Sequence, residues 1–110
     1  MNEINLIRGD TETIKVNFFK GNEEFTPNDV VDGDILTFTI RDIVTENPIL
    51  VKSRTLPDRT FKLSHEETKS LEAKKYNYDI EYRKPDKSVV KTLVIGDVNV
   101  RKDVTYDDRN

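Results

Sequence analysis

The chain has 110 residues, 35% of them hydrophobic and another 35% charged, with acids and bases nearly cancelling to a net charge of -3. That length supports one domain with a single core burying roughly two-thirds of the unfolded surface, while the interspersed charge offers no basic patch for nucleic acid and no apolar run reaches the roughly 18 residues of a membrane-spanning helix. The absence of cysteine excludes disulfide staples, zinc–thiolate sites and thiol nucleophiles, so packing must hold the fold.

Met1 to Arg8 lacks the apolar stretch of a signal peptide, so synthesis and folding are expected in the cytoplasm. It alternates weakly, with Ile4 and Leu6 on one side, and Gly9-Asp10 breaks it as a turn. The spacing of Ile14, Val16 and Phe18 predicts a second strand over Thr13 to Phe19, with Phe19 left pointing outward or at the strand end. Lys20 to Glu24 is a polar turn followed by Phe25, and Pro27-Asn28-Asp29 begins a loop that Gly33-Asp34 closes. In Ile35 to Arg41 the residues Leu36, Phe38 and Ile40 face in and Thr37, Thr39 and Arg41 face out. Asn47-Pro48 turns the chain into Ile49 to Ser53, a short strand apolar on both faces, and Leu56-Pro57-Asp58 turns it again into Thr60 to Leu63.

At Ser64 the pattern changes. Ser64-His65-Glu66-Glu67 reads as a capping box: Ser64 accepts from the Glu67 amide while Glu67 reaches back to the Ser64 amide, satisfying two donors that a helix start leaves orphaned. One or two helical turns over about Ser64 to Leu71 then carry the chain from one sheet to the other. The stretch that organises the rest follows. Tyr76, Tyr78, Ile80 and Tyr82 recur at period 2 with Asn77, Asp79, Glu81 and Arg83 between them, which sends the apolar set to one face of a strand. Leu71 and Tyr76 also fit a tyrosine corner, in which the hydroxyl returns to backbone upstream; ordinary aromatic packing fits Tyr76 as well. After a Lys84-Pro85-Asp86-Lys87 turn, Val89 to Ile95 is apolar on both faces and is expected near the middle of a sheet, with Gly96-Asp97 as a bulge within one long strand that continues through Val98 and Val100.

About seven to eight short strands, turn signals at roughly ten-residue spacing and one short helix near Ser64–Leu71 predict an all-β fold, an antiparallel β-sandwich of immunoglobulin-like type. The domain is expected over residues 1–104, with residues 105–110 a polar tail.

Candidate chemistry is thin. Ser64, His65 and Glu66 are the components of a hydrolytic triad, but consecutive residues at a helix start point in different directions, and capping explains Ser64 and Glu67. Asp79 and Glu81 lie roughly 6.5 to 7 Å apart along one strand face, compatible with a glycosidase pair, although neighbours Asn77 and Arg83 make that face read as solvated. Asp29, Asp32 and Asp34 with Gly33 supply oxygen ligands, yet the spacing is not that of an EF-hand and a bidentate Glu is missing, so they read as turn formers. Arg8-Gly9-Asp10 spells an integrin-recognition tripeptide and reads as a turn between strands. No catalytic residue, metal or cofactor is expected.

Ile7-Arg8-Gly9-Asp10-Thr11, Gly33-Asp34-x-Leu36-x-Phe38-Thr39-Ile40, Phe61-x-Leu63-Ser64-x-x-x-Thr68-x-x-Leu71, Tyr76-x-Tyr78-Asp79-Ile80, Lys91-Thr92-Leu93 and Gly96-Asp97-Val98-Asn99-Val100 follow one another in an order that resembles the N-terminal β-sandwich module of baseplate upper proteins from tails of phages infecting Gram-positive bacteria. The likeness covers nearly the whole chain. It differs at Lys75, where the family pattern has glycine, and at Asn110, beyond which larger members continue into a linker and a receptor-proximal region. The resemblance implies a non-enzymatic structural component of a phage or prophage particle, made in the host cytoplasm and carried in the virion tail or baseplate. Its implied partners are other tail or baseplate proteins, with no nucleic acid or membrane bound and with homo-oligomerisation weak or dependent on a scaffold. The other class considered is a carbohydrate-binding module, which needs exposed aromatics; Phe19, Phe25 and Tyr106 are the candidates, and Phe19 is the residue expected at a partner interface.

Overall fold

The computed structural model of the chain describes residues 3–16 and 31–102. These hold seven strands and one helix: β1 (Glu3–Ile7), β2 (Glu12–Lys15), β3 (Ile35–Arg41), β4 (Pro48–Thr55), β5 (Thr60–Leu63), α1 (His65–Lys69), β6 (Lys75–Arg83) and β7 (Val90–Arg101). Five of the strands form one sheet in the order β1-β7-β6-β3-β4, and β2 pairs with β5 in a second, two-stranded sheet. The fold is mostly β.

β6 is the central strand of the larger sheet, and its period-2 pattern is realised in full. Tyr76, Tyr78, Ile80 and Tyr82 are buried while Asn77, Asp79, Glu81 and Arg83 are half-buried on the other face. Its antiparallel partner β3 buries Leu36, Phe38 and Ile40 opposite Tyr82, Ile80 and Tyr78. A tight turn closes the hairpin to β7: the Lys87 amide donates to the Lys84 carbonyl at 2.8 Å, and the Lys84 amide to the Val89 carbonyl at 3.0 Å.

Three expectations change in the structure. The sheet is mixed rather than wholly antiparallel, because β1 runs parallel to β7 with Ile4 beside Val98 and Leu6 beside Val100. Alternation tells which face a strand buries but not the direction of its neighbour. Here the Arg8–Asp10 turn sends the chain away to β2 in the other sheet instead of back along β1.

The long strand β7 does pass through Gly96 unbroken, but its register shift falls between the pairs Ile80–Val94 and Glu81–Thr92, which leaves Leu93 as the extra residue. A bulge residue breaks alternation, so consecutive Leu93 and Val94 can both pack against the core. That accounts for the doubly apolar run without placing it mid-sheet. β7 lies one strand from the edge, and Val90 and Ile95 on its outer face are exposed.

β4 is longer than expected and is an edge strand; only Leu50 packs against the core, and Ile49 and Val51 are exposed.

The helix forms as its capping box dictates. Ser64 Oγ accepts from the Glu67 amide at 3.1 Å and Glu67 Oε1 accepts from the Ser64 amide at 2.8 Å. Lys52 of β4 pairs with Glu67 at 2.9 Å and ties the helix start to the sheet. After the helix, the Tyr76 hydroxyl donates to the Glu72 carbonyl at 3.0 Å. Tyr76 is therefore both a core aromatic and a corner residue, with the Lys74 ammonium 5.2 Å from its ring centroid.

One cluster of buried side chains joins both sheets. Phe61 and Leu63 of β5 and Val16 just after β2 meet Leu36, Phe38, Ile40, Tyr78 and Val98 of the larger sheet. The Phe38 ring lies 5.6 Å from Phe61 and 5.7 Å from Tyr78. Each such large side chain taken out of water contributes about 1.5 to 3 kcal/mol.

Candidate functional site

Core alternation leaves the opposite face of the five-stranded sheet to solvent, with the polar side chains of β6 interspersed with exposed Val51, Val90 and Ile95, and this outer face holds Asp79 and Glu81. Asp79 lies between Thr39 of β3 and Ile95 of β7, and Glu81 lies between Thr37 and Thr92. A shallow groove of about 280 Å³ runs beside them, bounded on the other side by Arg41, Asp42 and Glu46. Asp79 spends Oδ2 on the Arg41 guanidinium at 2.9 Å. The two carboxylates thus share a face as expected. The arrangement is an open polar groove with one of its acids already paired, and not the apolar enclosure that keeps a carboxylic acid protonated for general acid work.

The loop that walls this groove is held by Asp42. Its Oδ1 accepts from the Val44 and Thr45 amides at 2.8 and 3.0 Å, and its Oδ2 from Lys74 at 3.0 Å. The Thr45 amide, with Lys74 and the Val44 amide, lowers the Asp42 carboxyl to about 2. This loop presents Val44, 88% exposed, to solvent.

Ser64, His65 and Glu66 do not assemble into a triad. Ser64 caps α1, and His65 Nδ1 lies 2.6 Å from the Gly9 carbonyl oxygen. A carbonyl only accepts, so Nδ1 carries the hydrogen and donates.

That bond is one of several fastening the Arg8-Gly9-Asp10 turn onto the helix. Gly9 has φ of 89°, a conformation that suits glycine, and the Asp10 amide donates to the Ile7 carbonyl at 3.0 Å. The Gly9 amide donates to Thr68 Oγ1 at 3.0 Å, and the Thr68 hydroxyl donates to the Asp10 carbonyl at 2.7 Å. Arg8 Nη2 donates to the Lys69 carbonyl at 2.7 Å near the helix end; its Nε is buried without a hydrogen-bond partner. The tripeptide is a turn, as expected, and its backbone is committed to α1.

Of the loop acids, Asp34 has a role that turn chemistry did not suggest. It is 2% exposed, and its Oδ2 accepts from the Tyr82 hydroxyl, from Lys84 at 2.9 Å and from the Val31 amide at 3.1 Å. Its backbone joins the same knot: the Leu56 amide donates to the Asp34 carbonyl at 2.8 Å, and the Gly33 amide to the Leu56 carbonyl at 3.0 Å. Burial alone would raise the Asp34 carboxyl, but the Tyr82 hydroxyl, the Val31 amide and the Lys84 ammonium outweigh it and the net shift is downward. Burial and then the Asp34 carboxylate push the Tyr82 hydroxyl up, and the bond to Asp34 raises Lys84. The signal for this knot is in the sequence. An inward tyrosine brings a hydroxyl that needs an acceptor in the core, and Tyr82 pairs with Leu36, two residues from Asp34.

Phe19, Phe25, Tyr106 and Asp29 lie outside the described residues. The aromatics within them, Phe38, Phe61, Tyr76, Tyr78 and Tyr82, are all buried. Among the described residues, no three His, Cys, Asp or Glu side chains converge to hold a metal ion, and no helix is long and apolar enough to cross a membrane. No protein-family model matches the chain, and no curated protein matches it.

Proposed function

We propose that this protein is a non-enzymatic structural component of a phage or prophage particle, a tail or baseplate protein that docks neighbouring tail proteins, with its two sheets serving as the layers of an immunoglobulin-like β-sandwich. The observation that carries this reading is a contrast between the two edges of the five-stranded sheet. The β4 edge is guarded. It begins at Pro48, its register breaks between the pairs at Ile40 and Arg41, and Lys52 and Arg54 occupy core-side positions where they bind Glu67 and the Thr60 carbonyl. Proline, bulges and inward charges are the devices that keep sheet edges from accepting another strand. β1 carries none of them: Glu-Ile-Asn-Leu-Ile pairs with β7 in unbroken register and, among the described residues, has no neighbour on its other side. A small domain with one guarded and one open edge is suited to docking by strand addition.

Mass spectrometry of purified particles from the source strain tests the reading directly. The chain is expected among the tail proteins, and its absence from intact particles would overturn the assignment. The carbohydrate-binding alternative requires an aromatic platform, which the five buried aromatics do not supply. Glycan binding that disappears on Phe19→Ala would favour it instead.

A further inference from the structure

We infer that the partner at the β1 edge is a strand from a different protein that places a lysine or arginine beside Glu3; this deepens the docking reading above and rests on it. In the parallel register Glu3 stands next to Asp97 on the outer face, and Asn5 next to Asn99. Two carboxylates therefore lie side by side at the open edge. Asn99 donates to both Glu3 and Asn5, which fixes the Glu3 side chain without neutralising it, and the nearest base to Asp97, Lys75, is 4.0 Å away with both side chains about half exposed. An incoming strand that brings a cation to this row relieves like-charge crowding, and cross-strand opposite charges are a recognised element of sheet pairing.

A second copy of β1 is poorly suited to bring one, since Glu3–Ile7 contains no base and the Arg8 that follows is engaged by the Lys69 carbonyl at the end of α1. On the core side the incoming strand would extend the row formed by Ile4 and Leu6, of which Ile4 is only partly buried, so its alternate positions should be apolar.

The test places a photo-crosslinking residue at Asn5, or at Ser53 on β4 as the control, in the full chain assembled into particles, alongside Glu3→Gln, which keeps the hydrogen-bond acceptor and removes the charge. The inference expects the Asn5 probe to couple to another tail protein within a segment containing Lys or Arg, the Ser53 probe to couple little, and Glu3→Gln to lower incorporation several-fold. If the chain is in particles but Asn5 couples only to another copy of itself, or to a segment without a base, or not at all, or if Glu3→Gln incorporates normally, the inference fails and the particle reading stands. If the chain is absent from particles, both fail.

Discussion

The Tyr82 hydroxyl donates to the buried Asp34 carboxylate, 48 residues away in sequence, and so locks the loop before β3 to the end of β6. Tyr82→Phe removes a donor and leaves the carboxylate short of a partner inside the protein, for an expected loss of about 1 to 3 kcal/mol in denaturant melts. The effect depends on pH with a definite sign. The folded-state pKa of Asp34 is depressed, so its contribution is present above the unfolded carboxylate range and is lost as pH falls through the folded value. The stability gap between the parent and Asp34→Asn should be wide at pH 7 and narrow as pH falls below the ordinary carboxylate range and through the depressed folded value. A gap unchanged over that range would mean the carboxylate is not ionised in the knot.

On β6, Tyr78→Ala and Ile80→Ala are each expected to cost about 2 to 5 kcal/mol because they empty core volume. Glu81→Gln should stay within about 0.5 kcal/mol, and Asp79→Asn, which breaks the partly exposed pair with Arg41, within about 1 kcal/mol. Denaturant melts of the four variants distinguish the faces; carboxylate changes as damaging as the core ones would reverse the face assignment.

The Arg8–Asp10 turn offers a third check. Gly9→Ala forces a Cβ into a positive-φ position beside the His65 ring, and Thr68→Val removes the hydroxyl that bonds both Gly9 and Asp10. Each is expected to cost about 1 to 3 kcal/mol by thermal or chemical unfolding. Asp10→Glu should leave cell adhesion unchanged, and adhesion abolished by that change would show the tripeptide acting as a ligand.

Asp42 should titrate near 2 when followed by carboxyl NMR, and Lys74→Met should move that midpoint upward because it removes one of the groups favouring the ionised form. Because the folded value is depressed, the order that Asp42 gives the 42–47 loop is present above the unfolded range and fades as pH falls toward 2. Faster exchange of the Val44 and Thr45 amides in the variant would accompany the shift.

Purified alone, the protein should show little or weak self-association in light scattering across a concentration series. Its charge is interspersed, and although exposed Val51 and Ile95 share one row across the outer face of the five-stranded sheet, Thr39 and Asp79 lie between them and break up an apolar patch. An obligate interface generally buries more than roughly 2,000 Å². An oligomer persisting at nanomolar concentration would reveal an apolar face that this distribution does not suggest.

The parts of the fold legible in the sequence are those set by local periodicity. Tyr76 to Tyr82, the Ser64–Glu67 capping box, the Lys84–Lys87 turn and the inward set of β3 each follow from residues within a few positions of one another. What was not legible depends on partners far along the chain. Nothing in Glu3–Ile7 encodes that its neighbour is parallel, and nothing in Ile49–Val51 says that the strand lies at an edge. The doubly apolar Val89–Ile95 run was readable as buried on both faces because a bulge at Leu93 imitates that pattern in one dimension. On the candidate site, the shared face of Asp79 and Glu81 was legible from strand alternation, whereas the Arg41 pair and the Asp34 knot require knowing which strands become neighbours.

The pairing of β1 with β7 also constrains when the protein can finish folding. Glu3 meets Asp97 and Ile7 meets Arg101, so β1 has no place in the sheet until residues 97–101 have left the ribosome. Until then the hydrophobic side of β1 waits uncovered, while the β3–β4 hairpin can already close locally. Completion of the sheet therefore depends on its longest-range contacts, which close a loop of some ninety residues and are intrinsically slow to form. The β1 edge comes into existence last, when the rest of the domain is already built to receive it.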